Sequence, residues 1–336
     1  MKVKITASLI VLAVALALVA LRGHIVLGQD LQAEQKQGLN VLGNVFANEG
    51  QVNLSGTRAL VLPYGGGLTV QRIIRGPGHK YRVEFASPDR VAGRLLLSDA
   101  SNRWLYLPER RLAMATQAAD ASLIAKRRAE WLSRVPDVFT VRYFGARPFL
   151  GRRALVVQLV RRHPPRTYRK FWVDADHWVP LLRQHFAPDG SLLGEERFTE
   201  VQFPSEAPPD ETFEFQPPPR TRVVSDPQPI LRFADPADLA KRLDFRLVLP
   251  QSVPDDFFLQ DACLLRFRGR PVAWLRYTDI LNFLSVFERQ RPSGAPAGGL
   301  PAIPMVVLRE RDPLWIVVLG SMPKPVLERV ADSIQP

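Results

Sequence analysis

The sequence predicts a β-rich α+β protein in two parts, and three observations carry that expectation. Short segments with apolar residues at every second position recur along most of the chain, the pattern of strands wet on one face. Thirty prolines are spread over 336 residues. A proline inside a helix costs about 3 kcal/mol, so a bundle of long helices is excluded. Nine of those prolines fall between residues 204 and 236, a density that leaves an extended connector and divides the chain. Length agrees, because 336 residues correspond to about two domains at roughly 100–200 residues each. The hydrophobic share of 46% is enough for each to bury a core.

The N-terminal segment comes first. Lys2 and Lys4 precede an apolar run from Ile5 to Leu21, the layout of a secretion signal. The run has 17 residues, marginal for a membrane span of about 20. Val26 and Gly28 are small enough for the positions before a cleavage site near Gln29. Residues 1–29 are therefore read as a signal peptide, with an uncleaved anchor as the alternative, and the body as exported to a periplasmic or other extracytoplasmic space. No cysteine follows the apolar run, which excludes a lipid-modified N-terminus; the lone Cys263 also excludes an intramolecular disulfide framework.

Export reshapes the meaning of charge. The formal net charge is +12, from 37 arginines and 8 lysines against 33 acidic residues. Loss of Lys2, Lys4 and Arg22 with the signal leaves +9, and residues 30–216 hold +6 of it. Outside the cytoplasm nucleic acid is a poor partner. An anionic membrane surface, an acidic lipid head group or an acidic protein segment fits better.

Residues 30–216 are expected to form the larger domain. Leu31, Leu39, Leu42, Val45 and Phe46 stand three or four apart and predict a helix over 30–47. In 80–85, Tyr81, Val83 and Phe85 alternate with Lys80, Arg82 and Glu84, an antiparallel strand with one polar face. Further strands are predicted at 52–62, 68–75, 93–98, 103–107, 138–144, 153–162, 167–174, 180–187 and 192–203. Turn residues such as Gly65-Gly66-Gly67, Ser87-Pro88-Asp89 and Pro188-Asp189-Gly190 separate them. A helix interrupts over 120–134, and Phe213 and Phe215 are expected in a short last strand. Residues 217–237 form the proline-rich linker. Residues 238–336 form a smaller α+β domain with strands at 258–267, 271–278, 281–288, 304–309 and 314–320, a long loop at 289–303 and a helix over 324–334.

No catalytic arrangement emerges. G-x-S-x-G, H-E-x-x-H and P-loop motifs are absent. Asp174-x-Asp176-His177 reads as a turn that bends the chain rather than a metal site. His163, His177 and His185 have nothing to fix them together. Cys263 sits in an apolar strand as a small hydrophobe. No catalytic, cofactor-binding or metal-ligating residue is assigned, and no cofactor is expected.

Two features point to binding instead. Arg161, Arg162, Arg166, Arg169 and Lys170 form the densest positive cluster. They read either as a landing patch for an acidic partner or lipid head group, or as a solvated edge that discourages strand pairing. Tyr81, Val83, Phe85, Trp104, Tyr106 and Phe171 lie on different strands of one predicted sheet. If that sheet curls around the first helix, they line an apolar cavity able to hold an acyl chain, each buried CH₂ contributing about 0.8 kcal/mol. The alternative is that the helices fill the concavity and these side chains are ordinary core.

The order of motifs also resembles a known family. Y-R-V-E-F (81–85), R-W-L-Y-L-P-E-R-R (103–111), Y-R-K-F-W-V-D (168–174), W-V-P-L-L-R-Q-H-F-A-P-D-G-S-L-L (178–193) and F-T-E-V-Q-F (198–203) are similar to the LolA-like superfamily. That superfamily includes lipoprotein carriers and the MucB/RseB sigma-factor regulators. The resemblance implies an antiparallel half-barrel wrapped over helices with a lipid cavity. Phe245-Arg246-Leu247, Tyr277-Thr278-Asp279 and Trp315-Ile316-Val317-Val318-Leu319-Gly320 resemble the small second domain of the MucB/RseB branch; Ile280 stands where that branch usually has glycine. This branch implies a non-enzymatic regulator that binds a membrane-spanning anti-sigma factor and senses lipid. A periplasmic lipid or lipoprotein carrier of the LolA type is the alternative.

Overall fold

A computed structural model describes residues 31–335 except 62–66, 119–120, 164, 188, 226–229, 255–256, 268, 280–281 and 292–304. Residues 1–29 lie outside the described residues, as does most of the predicted loop at 289–303.

The chain is β-rich α+β and forms two sheets. Helix α1 covers residues 31–48. A meander follows: β1 (Leu54–Val61), β2 (Leu68–Arg75), β3 (Tyr81–Ser87), β4 (Leu95–Ser98), β5 (Asn102–Leu107) and β6 (Leu112–Gln117). Helix α2 (Ala121–Val138) leads to a second meander of β7 (Phe139–Phe149), β8 (Arg152–Arg161), β9 (Arg166–Asp174), β10 (Pro180–Phe186) and β11 (Leu192–Gln202). Antiparallel pairing of β1 with β11 joins the meanders. A short strand, β12 (Arg222–Ser225), adds to β6 in parallel. The result is a mixed twelve-stranded sheet.

The second sheet has six antiparallel strands: β13 (Leu231–Phe233), β14 (Phe258–Phe267), β15 (Arg270–Thr278), β16 (Phe283–Gln290), β17 (Val306–Arg311) and β18 (Leu314–Gly320), with β18 between β16 and β17. Helix α3 (Pro236–Ala240) is capped by Asp235, whose side chain accepts from the Ala237 amide, with Pro236 in the first turn. Helix α4 (Lys324–Asp332) lays Leu327, Val330 and Ala331 on the sheet.

Each sheet has its own core. On the first, Val41, Leu42 and Val45 of α1 and Val135 of α2 pack with Phe139, Val141, Val157 and Leu159. Leu54, Ile73, Val83, Leu181 and Phe198 form a second cluster, and pairing places it on the same face. Gly38 lets α1 approach this closely, because a Cβ there would lie 2.5 Å from Val141 Cγ1. The second sheet buries Leu275, Val286, Ile316 and Val318 against α4.

Five elements differ from the sequence reading. β6 falls in a stretch where no element was predicted. Helix α2 runs to Val138 rather than 134, with Pro136 in its last turn; Val135, fully buried, holds the extra turn on the sheet. Phe213 ends a 3-10 turn (Asp210–Phe213) instead of a strand. The proline-rich stretch still pairs, because β12 and β13 occupy its proline-poor intervals and reach the edges of the two sheets.

Candidate functional site

A concavity lies between the sheets. It has a volume of about 620 Å³, inside the usual range for small-molecule sites. Leu42, Phe46, Trp131 and Phe171 supply apolar walls from α1, α2 and β9, while Phe258 and Leu259 close it from the second sheet. Phe46 and Trp131 meet edge to face at 4.7 Å. Arg127, Arg134, Arg169 and Arg183 stand at its margin against Glu49 and Glu130. The walls are apolar and the rim carries both arginine and glutamate side chains.

Two polar clamps tie the sheets together beside this cavity. In one, Arg127 of α2 donates to Asp261 Oδ2 at 3.0 Å, joined by Arg232 at 3.0 Å and Arg276 at 3.1 Å. Three guanidiniums thus share one carboxylate. Burial first, and then repulsion from Arg232 and Arg276, lower the Arg127 pKa from its ordinary value. The Cys263 thiol donates to Asp261 Oδ1 at 3.5 Å. Burial, helped by the Asp261 charge, pushes that thiol up to about 12, which keeps it protonated and unreactive.

In the other clamp Asp279 Oδ2 accepts from Tyr168 at 2.9 Å and Arg161 at 3.3 Å, while Arg169 donates to Asn282 at 3.0 Å. Asp279 is 1% exposed. Burial and then the Asp279 charge raise the Tyr168 phenol well above its usual range.

A third cluster sits further along the concave face. Arg58 and Arg183 pair with Glu196, and Arg58 also donates to Gln71 Oε1 at 2.7 Å. Burial pushes Glu196 up, but Arg183, Arg58 and Arg75 outweigh it and hold the carboxyl below the ordinary range.

The predicted site residues are distributed unevenly. Register puts Tyr81, Val83 and Phe85 on one face with Ile73, and they pack in the Leu54 cluster. Phe171 shares that face and lines the cavity. Trp104 and Tyr106 do not join them: Val83 pairs with Leu96 and Leu96 with Leu105, so Leu105 faces inward. Trp104 and Tyr106 instead meet Phe215 at 5.5 and 5.3 Å on the opposite face.

The basic cluster also divides. Arg161 and Arg169 point into the second clamp. Lys170 lies over the Trp172 ring at 4.5 Å, on the other side of β9. Arg162 is exposed and Arg166 half-buried. Asp174 organises its turn, accepting from the His177 amide at 2.8 Å and pairing with Arg152. Sequence reasoning missed Asp261, Asp279 and Arg127, whose partners lie more than a hundred residues away except within the second sheet.

Two sheets, a cavity between them and charged clamps across the gap define a β-rich α+β architecture. More particularly, the fold is MucB-like. The crystal structure of MucB superposes with a TM-score of 0.56 and 19% identity, over 90% of this chain and 98% of that one. MucB in the MucA/MucB complex of Pseudomonas aeruginosa gives 0.56 and 20%, over 89% and 99%. No family model matches the sequence. The uncharacterized protein MJ0687 of Methanocaldococcus jannaschii is 24% identical over 122 residues, so the chain spans about a third (34%) of that curated relative. No helix among the described residues is long and apolar enough to cross a membrane.

Proposed function

We propose that the chain is a non-enzymatic, exported binding protein of the MucB/RseB type. It takes an acyl chain of a lipid or lipoprotein into the cavity between its sheets and engages a membrane-spanning anti-sigma factor, so that lipid regulates an envelope-stress sigma factor. The larger domain, 30–216, has the character of a LolA-like half-barrel over α1 and α2. Residues 217–237 link it to a smaller domain, 238–336, that supplies part of the cavity wall. The observation that carries the reading is the likeness to MucB over both sheets. The amphipathic cavity supports the lipid half of it. Of the residues foreseen as lining, Phe171 is retained, and Arg169 with Arg127 replaces the wider basic patch as the head-group contact.

Native mass spectrometry of gently purified protein tests the lipid half. A bound lipid is expected, and Leu42→Trp, which fills the cavity, should remove it. Recovery of a single-span membrane protein with an acidic extracytoplasmic segment tests the partner half. Protein that transfers lipoproteins and retains no such partner would favour the carrier reading.

A further inference from the structure

The twelve-stranded sheet has two edges, and they differ. Strand β7 forms one of them. It is guarded: its pairing with β8 shifts register between Tyr143 and Ala146, Pro148 lacks an N–H, and the exposed Arg142 and Arg147 stand along it. Strand β12 forms the other. Its residues, Arg222 to Ser225, are all exposed, with Val223 at 48% and Val224 at 43%. The Arg222 amide donates to the Arg111 carbonyl at 2.8 Å, and the pairing with β6 is parallel. Main-chain groups of a strand turn to alternate sides, so those of Arg222 and Val224 face β6 and those of Val223 and Ser225 face outward. No described strand lies on that outer side. An open row of N–H and C=O groups is a template for one more strand.

The charge beside this edge is one-sided. Arg110 and Arg111 close the 3-10 turn that leads into β6. Arg220 and Arg222 flank Thr221 where β12 starts. The hydrogen bond from Arg222 to Arg111 ties the two pairs together. All four arginines are exposed, and no guanidinium among them meets a carboxylate of the described residues. Glu109, the acid beside Arg110 in the sequence, is taken by Arg94 at 2.7 Å. Like charge on an edge repels a second copy of the same edge. It attracts carboxylates, which arginine binds in a two-pronged fashion.

We infer that β12 is a docking edge for an extended segment of a partner protein, which adds as a further strand and sets a group of carboxylates against Arg110, Arg111, Arg220 and Arg222. Antiparallel addition is the more stable mode. The carboxylates then lie at the C-terminal end of the segment, where it passes the start of β12. Val223 and Val224 stand on opposite faces, so the paired stretch carries β-branched residues in both phases. Main-chain pairing supplies the affinity, and the acidic end supplies direction and selectivity. β12 lies at the far end of the sheet order from β9, which lines the cavity. The inference therefore goes beyond the function proposed above and depends on neither its lipid half nor its anti-sigma half.

The test uses the full exported chain and a labelled peptide in which a run of valine and threonine is followed by glutamates. Fluorescence anisotropy should show this peptide bound. Moving the glutamates to its N-terminal end should weaken binding by about tenfold, and lysines in their place should abolish it. Val223→Pro deletes an outward N–H that no β6 carbonyl uses, and should remove binding with the urea midpoint unchanged. A peptide N-methylated through its valines and threonines makes the same test on the wild-type protein and should not bind. Arg220→Glu, at an exposed position, should weaken binding by about tenfold or more. Equal binding of the methylated and unmodified peptides, of the glutamate and lysine peptides, or of wild type and Arg220→Glu would overturn the inference. So would tighter binding of the peptide with N-terminal glutamates. A dimer in sedimentation that Val223→Pro dissociates would give the edge to a second copy and overturn it too, as would phosphatidylglycerol vesicles that occupy these arginines in place of the peptide.

Discussion

Glu288 is a carboxyl group in the hydrophobic core of the second sheet, and its ionisation should set how that sheet responds to pH. It is 0% exposed. The Val248 amide donates to Oε2 at 3.0 Å, while Oε1 has no partner among the described residues. Burial pushes its pKa from 4.5 up to about 7, with the Val248 hydrogen bond pulling weakly the other way. At about 1.4 kcal/mol per pH unit, holding the charged form in the core at pH 8 costs about 3 kcal/mol. Because the folded value is the higher one, the stabilisation is complete below about pH 4.5, declines as pH rises, and is gone above about 7. The Tyr277 phenol is pushed up to about 12 by burial and by the Glu288 charge. Glu288→Gln keeps an acceptor for Val248 and removes the charge. At pH 5 the two proteins should unfold at similar urea concentrations; at pH 8 the variant should be the more stable by about 3 kcal/mol. Taking the difference between the two proteins cancels every contribution they share. Parallel loss of stability in wild type and variant from pH 5 to pH 8 would refute the argument.

Other perturbations follow from packing and pairing. Gly38→Ala gains about 1 kcal/mol of helix propensity, but its Cβ would meet the β-branched and buried Val141 at 2.5 Å. Overpacking of about 1–3 kcal/mol should win, and the urea midpoint should fall. Asp279→Ala takes the carboxylate from Arg161 and Tyr168 and should cost about 3–5 kcal/mol, read as a lower urea midpoint together with faster trypsin cleavage of the 217–237 linker. Asp174 is raised by burial but lowered further by Arg152 and His177, so its pKa lies below 3.8. Its stabilisation is present above that value and lost as pH falls through the folded one. Asp174→Asn should therefore be less stable than wild type at pH 7 by about 1–3 kcal/mol, the gap closing toward pH 2.

The strands were legible where only one alternation phase is apolar. In 80–85 the odd positions are apolar and the even ones charged, so Tyr81, Val83 and Phe85 could be assigned to one face, and they share it. In 103–107 both phases are apolar after Arg103: Trp104 and Tyr106 in one, Leu105 and Leu107 in the other. The larger aromatic rings suggested the inward phase, yet Leu105 is the residue opposite Leu96. A phase error of one residue transfers every side chain to the other face, and nothing local to that segment breaks the tie. The tie is broken by Phe215, more than a hundred residues further on, which covers Trp104 and Tyr106 from outside. β6 was missed for a related reason, because Leu112-Ala113-Met114-Ala115 has no polar phase at all.

The charge clusters show a harder limit. Density along the sequence made Arg161 to Lys170 look like one surface patch. A strand sends neighbours to opposite faces, so Arg169 turns toward the second sheet while Lys170 turns away. What decides between patch and clamp is Asp279, 118 residues from Arg161. Linear density cannot report that pairing. The folded chain gathers arginines three to one around single acids instead: Arg127, Arg232 and Arg276 at Asp261, and Arg58, Arg75 and Arg183 about Glu196. The Asp261 grouping holds three arginines to one acid, and in the other Glu49 offsets part of the Arg75 charge; in partly desolvated surroundings an incoming anion is attracted more strongly than at an open surface. These two groupings place positive charge along the α1 face of the first sheet and in the gap between the sheets. Binding of an anionic ligand there should weaken as salt rises, but less steeply than binding to an open basic patch, because desolvated pairs are screened less.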